Sequence, residues 1–240
     1  MNYNNQTPPP YFGGGNGTPA VARTNSVLKK VYVRMFIGLL VTAFVSLGIA
    51  SNPAIAIAIF SNQLIFWGML IAMFAMAIMI PVRLAKMSPA TTLVMFIVYS
   101  ALMGAWMSSI FFAYSLGSIA YTFFITAGVF GAMSVYGYLT KSDLSRMGSY
   151  LMMGLFGLII VMVVNLFLQS SQLEWIVSIV GVVLFIGLTA WDTQQIKQLA
   201  NAPELDGATS DKLATMGAMN LYLDFINLFL FLLRIFGDRN

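Results

Sequence analysis

The sequence predicts an all-α polytopic membrane protein of seven transmembrane helices with the last helix central in the bundle. Three observations carry this expectation. Of 240 residues, 59% are hydrophobic and 8% charged, against about 25% charged in soluble domains, and the mean hydropathy is +0.85. The apolar residues gather into seven runs of about the 20 residues that cross a hydrocarbon core. Lys and Arg collect in alternate connections between those runs.

Residues 1–27, with "NNQTPPPYFGGGNGTP", read as a disordered cytoplasmic tail, because so few apolar side chains cannot offset the entropy of ordering a chain. No charged start runs directly into an apolar core and a small-residue cleavage site, so the first span is expected to double as the targeting signal. Residues 28–240 form the transmembrane domain. Its runs are Met35 to about Ile59, Leu64–Val82, Ala90–Tyr114, Ser118–Leu139, Met147–Leu168, Leu173–Ile196 and Leu213–Phe236. The first is interrupted by "SNPA", where Pro53 removes a backbone donor and disfavours helix at Asn52. It either ends near Ala50 or continues kinked. Gly104 with Ser108 and Ala127 with Gly131 have the spacing that lets helix backbones approach closely in lipid.

Arg23, Lys29, Lys30 and Arg34 precede the first span, Arg83 and Lys86 follow the second, Lys141 and Arg146 follow the fourth, and Lys197 and Lys212 flank the last loop. Ser51–Gln63, Ser115–Gly117 and Gln169–Gln172 contain no Lys or Arg. The positive-inside rule therefore places the N-terminus in the cytoplasm. Seven crossings leave the C-terminus outside. Arg234 and Arg239 pull towards a re-entrant last segment, whereas the 24 residues of Leu213–Phe236 favour a full crossing.

The chain contains no cysteine and no histidine, which excludes disulfide frameworks, thiol nucleophiles, Cys/His zinc sites and a Ser-His-Asp triad. Proton chemistry is left to carboxylates, Lys and Tyr. The net charge of +4 is small and sits beside the spans, so the partner it implies is the lipid bilayer and not nucleic acid.

Of eight acidic residues none precedes Asp143. Asp143, Glu204, Asp206, Asp211 and Asp238 fall in loops or at the tail, where solvated charge is the ordinary reading. Glu174, beside Trp175 at the outer end of the sixth span, is an interfacial anchor or lines an outer mouth. Asp192 and Asp224 lie inside spans. A carboxylate there costs at least ~2.5 kcal/mol and so faces the bundle interior, where it marks a pathway or proton relay. The last span also carries Gly217, Asn220, Asp224 and Asn227 at spacings of 3, 4 and 3, one polar face that belongs inside the bundle. Asn220 and Asn227 are pore-lining candidates. Asp192 and Asp224 become nearly level if the last helix effectively starts near Met216. Arg83, just past Pro81, offers a bidentate partner and serves equally as a positive-inside anchor. Two nearby carboxylates titrate as a unit, a proton sensor without histidine. When ionised they form a hard-oxygen site of the kind calcium prefers.

"GLTAWDTQQIK", the final "LYLDFINLFLFLLRIFG", a charged segment before the first span and seven short-looped spans together resemble the Bax inhibitor-1 family, in particular its bacterial members, over about Leu28–Gly237. The resemblance implies a seven-helix fold with a central last helix, a bacterial inner membrane location, and a pH-sensitive calcium leak. In that leak, paired aspartates on the sixth and seventh helices latch to an arginine on the second. By motif Asp192 and Asp224 match those aspartates; Arg83 matches by position alone. Calcium and protons are the implied ligands, with calcium permeant or transiently bound and no tightly bound cofactor. A non-conducting protein that regulates a membrane protease or stress response through membrane protein partners is the competing reading. An intramembrane aspartyl protease would also use two aspartates, but Leu221 and Leu223 stand where its glycines would precede Asp224, and no Pro-Ala-Leu follows. The chain is therefore not expected to be an enzyme.

Overall fold

The computed structural model describes residues 19–202 and 206–239. Residues 1–18 of the expected tail lie outside the described residues, as does Glu204. In chain order the described elements are α1 (Pro19–Ala50), α2 (Pro53–Ser61), α3 (Gln63–Arg83), a 3-10 turn at Leu84–Lys86, α4 (Pro89–Met107), α5 (Ile110–Ala113), α6 (Leu116–Leu139), α7 (Ser145–Leu168), α8 (Ser171–Ala200) and α9 (Gly207–Phe236). Seven of these helical stretches are long and apolar enough to cross a membrane.

Helix starts follow from local chemistry. The side chains of Asn62, Ser88, Ser115, Ser170 and Asp206 each accept from a backbone N–H in the first turn of the helix that follows. Such caps satisfy donors that have no intrahelical partner, a need made sharper by scarce water. The Thr209 hydroxyl and N–H also hold the Asp206 carboxyl below the usual carboxylate range. The first apolar run ends at Ala50, and Pro53 opens α2 at a position where its missing donor costs nothing.

Two boundaries differ from expectation. The polar tail gives way to helix at Pro19, not after residue 27, because Thr24, Val27, Leu28 and Val31 recur at helical spacing and are buried. The Thr24 hydroxyl reaches the Asn201 side chain just beyond α8. Asp211 lies in α9 and not in a loop. It ties α9 to α1 through Lys30 at 2.9 Å and Arg34 at 3.2 Å, and Arg34 reaches on to Thr215 Oγ1 at 2.7 Å.

α9 is central, packed by α8, α1, α6 and α4. Of its most apolar stretch 72% is buried inside the bundle, against 6% for α7. α7 and much of α3 turn apolar side chains such as Phe167 and Leu64 outward, as a hydrocarbon solvent permits. α9 is one continuous helix of 30 residues, roughly 45 Å at 1.5 Å per residue. Its far end meets the α5–α6 corner, where Ser115 N–H donates to the Asp238 carbonyl at 3.3 Å, while its near end meets the start of α1. The last segment is thus one helix running the length of the bundle, with no turn back within it.

Of the two expected small-residue contacts, one forms. A Cβ on Gly104 would stand 2.6 Å from the Thr42 carbonyl oxygen of α1, so only glycine permits that crossing. Gly131 meets nothing within 4 Å and Ala127 is exposed, so no neighbouring backbone packs closely at either. We expect Gly104→Leu to destabilise the protein by about 1–3 kcal/mol through overpacking, read as a lowered melting temperature in detergent; an unchanged temperature would show that α1 and α4 do not cross so closely.

Candidate functional site

The site grows from the antiparallel packing of α8 on α9. Gly217 gives the register: a Cβ there would lie 3.0 Å from Ile196 Cδ1 and 3.2 Å from Val31 Cγ2 of α1. Two turns further along α9 stands Asp224, and about one turn back along α8 stands Asp192. The two carboxyl groups come within hydrogen-bonding reach of each other. Both are buried, at 7% exposure for Asp192 and 4% for Asp224. Asp224 Oδ2 and the neighbouring Thr193 Oγ1 have no hydrogen-bond partner among the described residues. A carboxylate only accepts, so a hydrogen bond between two of them requires a proton on one.

The rotation of α9 that points Asp224 at α8 is held on both sides. Tyr222 Oη shares a 2.6 Å hydrogen bond with Thr42 Oγ1 of α1, which donates to the Ser100 carbonyl of α4 at 2.9 Å. The Tyr222 ring meets Phe96 and Tyr99 edge-on at 5.5 and 6.2 Å. One residue past Asp224, the Phe225 ring packs against Phe130 and Phe123 of α6 at 5.4 and 5.5 Å. Edge-on aromatic pairs of this kind each contribute about 0.5–1.5 kcal/mol beyond area burial.

α8 is held by the rest of its own motif. Trp191 packs over Gly148 of α7, where a side chain would collide with the indole. Gln194 Oε1 accepts from Leu144 N–H at 2.9 Å and its Nε2 donates to the Ser142 carbonyl at 2.8 Å, fastening the α6–α7 connection. Lys197 Nζ donates to the Tyr138 carbonyl at 2.6 Å and lies 4.8 Å from the Tyr138 ring centroid. These supporting roles were absent from the sequence reading. Their signal was a run of polar residues, Thr193, Gln194 and Lys197, continuing a helix whose preceding turns are apolar.

The other candidates are dispersed. Arg83 is exposed at the end of α3 and makes no ion pair among the described residues. Its neighbour Ala85 accepts from Lys212 Nζ at 3.2 Å, which puts that corner level with the start of α9, about 18 Å before Asp224 along the helix. Glu174 sits in the first turn of α8 and pairs with Arg239 at 3.2 Å, lining an outer groove with Asn165, Gln169 and Arg234. Asn227 Nδ2 donates to its own helix at the Leu223 carbonyl, 2.8 Å away, and Asn220 is half-buried on the same face.

No group of three or more carboxylates stands together among the described residues. Asp192 and Asp224 supply at most four carboxylate oxygens, fewer than the 6–8 ligands calcium takes. That donor set falls short of a closed calcium site.

The family profile described as "Inhibitor of apoptosis-promoting Bax1" matches residues 24–240. The chain is 45% identical to the inner membrane protein YbhL of Escherichia coli K12 over 219 residues, 91% of this chain and 94% of that protein. It is 47% identical over 215 residues to an uncharacterized protein of Borreliella burgdorferi, 90% and 93% of the two chains. A protein of Rickettsia prowazekii, RP147, is 44% identical over 214 residues, 88% of each.

Replacing Gln194 by Ala strands the Leu144 N–H and the Ser142 carbonyl, and losing a satisfied buried group costs about 1–3 kcal/mol. Amide hydrogen exchange at residues 142–144 is expected to quicken roughly tenfold or more, each tenfold corresponding to about 1.4 kcal/mol of local stability. Unchanged exchange there would detach the α6–α7 connection from α8.

Proposed function

The chain belongs to the Bax inhibitor-1 family, and from that premise we propose that it is a pH-sensitive calcium leak channel of the bacterial inner membrane, gated by Asp192 and Asp224. The observation that carries this reading is a carboxyl pair buried where α8 packs on the central α9, with Asp224 Oδ2 unpartnered among the described residues. Carboxylates at that depth mark ion and proton pathways. The pair titrates as a unit. One proton joins the two side chains; its loss leaves two like charges at contact, which resist sharing a site.

That change of charge acts on the α8–α9 contact, a packing that bears on every other interior helix. The ionised pair needs a counter-charge, and Arg83 is free to supply it if α3 and the start of α9 shift; protonation then releases the arginine and restores the carboxyl contact. Asn220, Asn227 and, at the other end, Glu174 line the proposed route of calcium. All Lys and Arg except Arg234 and Arg239 cluster at the end where α1 starts, which supports a cytoplasmic N-terminus. The name of the Escherichia coli relative supports the inner membrane as location.

The test is calcium entry into dye-loaded liposomes containing the purified chain, stepped across roughly pH 6 to 8, where a coupled carboxyl pair can titrate. One gating proton changes the open-to-closed ratio by up to about tenfold per pH unit. Wild type is expected to carry pH-dependent flux, Asp192→Asn and Asp224→Asn to lose the pH dependence, and Arg83→Gln to displace it. Flux no greater than in empty liposomes, or an unaltered pH response in both Asn variants, would refute the gate and favour the non-conducting interaction protein.

A further inference from the structure

The carboxyl pair is closed off from the end of the bundle where α1 starts. Gly217 stands two turns before Asp224 on the same face of α9, and Ile196 stands one turn past Asp192 on the same face of α8. The path from the pair to that end, along the α8–α9 seam, therefore meets Ile196 and Gly217 about 10 Å from Asp224 along α9. A third helix fills the seam there. The space that a Cβ on Gly217 would take is bounded by Ile196 Cδ1 at 3.0 Å and by Val31 Cγ2 of α1 at 3.2 Å. Val31 is fully buried and Ile196 nearly so.

The start of α1 is fastened around this contact. Thr24, Val27 and Val31, at spacings of 3 and 4, form one buried face, and the Thr24 hydroxyl reaches Asn201 just past α8. Lys30 and Arg34 lie on either side of Val31 in the chain, and both pair with Asp211 of α9, at 2.9 and 3.2 Å. The Asp211 side chain is 35% exposed. The wedge itself is thus dry and apolar, whereas the contact that holds it is ionic and open to solvent. A dry apolar constriction stops hydrated ions, because its side chains replace none of the water an ion must shed.

We propose that Val31, seated on Gly217 against Ile196, is an apolar plug between the carboxyl pair and the end of the bundle where α1 starts, latched by the ion pairs of Asp211 with Lys30 and Arg34. This rests on the proposed leak: the pair senses the proton, and the plug keeps the route shut. Opening lifts the start of α1 from the α8–α9 seam and breaks the Asp211 pairs.

The chain has no cysteine, so Asp224→Cys introduces a single thiol, and its reaction with a membrane-impermeant methanethiosulfonate reports access to the pair without any calcium. Labelling is followed in inside-out and right-side-out membrane vesicles. Reaction of a buried group follows the population of locally open forms, and removing buried methyl groups from a close-packed contact raises that population about tenfold. Val31→Ala is expected to speed labelling by that factor from the face where α1 starts and to leave the other face unchanged. Val33→Ala, at an exposed position of the same helix, is expected to change neither. Asp211→Arg is expected to speed labelling from the same face, and Arg34→Asp added to it to restore the slow rate. If Val31→Ala does not fold, this charge exchange, which leaves Val31 in place, carries the test. Equal labelling of Val31→Ala and Val33→Ala, acceleration from both faces, or a charge exchange that restores nothing overturns the proposal. Calcium flux with Asp224 retained is read separately: Val31→Ala is expected to raise flux at every pH. Absent flux in wild type refutes the leak, and labelling alone then decides the plug.

Discussion

The burial of two carboxyl groups inside the bundle is the constraint on which the structure depends. Neither Asp192 nor Asp224 can face lipid, so the helices that carry them must be interior and must turn those faces towards each other. α9 satisfies this by becoming the axis of the molecule, with α8, α1, α6 and α4 around it. Its orientation follows from the residues beside Asp224: Tyr222 is hydrogen-bonded into α1 and α4, and Phe225 is packed into α6. The functional face and the structural faces of one helix therefore alternate within a single turn, and neither can be redirected without the other.

α8 answers to the same constraint through different chemistry. Trp191, Gln194 and Lys197 engage α7, the α6–α7 connection and the end of α6, each within a turn or so of Asp192. The motif that surrounds the aspartate is thus mostly a joint that fixes where the aspartate points. The charge state of the pair is then coupled to a part of the structure that reaches the bundle surface at Tyr138 and Lys197.

Fold class, span number and the central place of α9 were legible because hydropathy and the 3-4-3 polar stripe of Gly217, Asn220, Asp224 and Asn227 are local patterns with direct physical meaning. The pairing of Asp192 with Asp224 was legible as a consequence of depth along two antiparallel helices. Side-chain partnership beyond that was not. Nothing in sequence spacing shows that Asp211 ties to Lys30 and Arg34 on α1, since the partners lie about 180 residues apart. The start of α1 at Pro19 was hidden because Thr24, Val27 and Leu28 are too few to stand out in a polar segment, and become an apolar face only once α8 and α9 are present to cover them. Gly131 had the spacing of a packing residue, yet helix rotation, which one sequence does not specify, left it with no neighbouring backbone to pack against.

Absence of native cysteine makes the central contact directly measurable. In membranes, a chain carrying Asp192→Cys and Asp224→Cys, cut in the loop between α8 and α9 and exposed to mild oxidant, reports whether those positions meet. The account predicts that the two fragments stay joined until reductant is added, as they do for a reference pair at Ile196 and Gly217. Fragments that separate without reductant, while the reference pair stays linked, would contradict it: the aspartates would not face each other, and the proton-sensing gate would lose its physical basis.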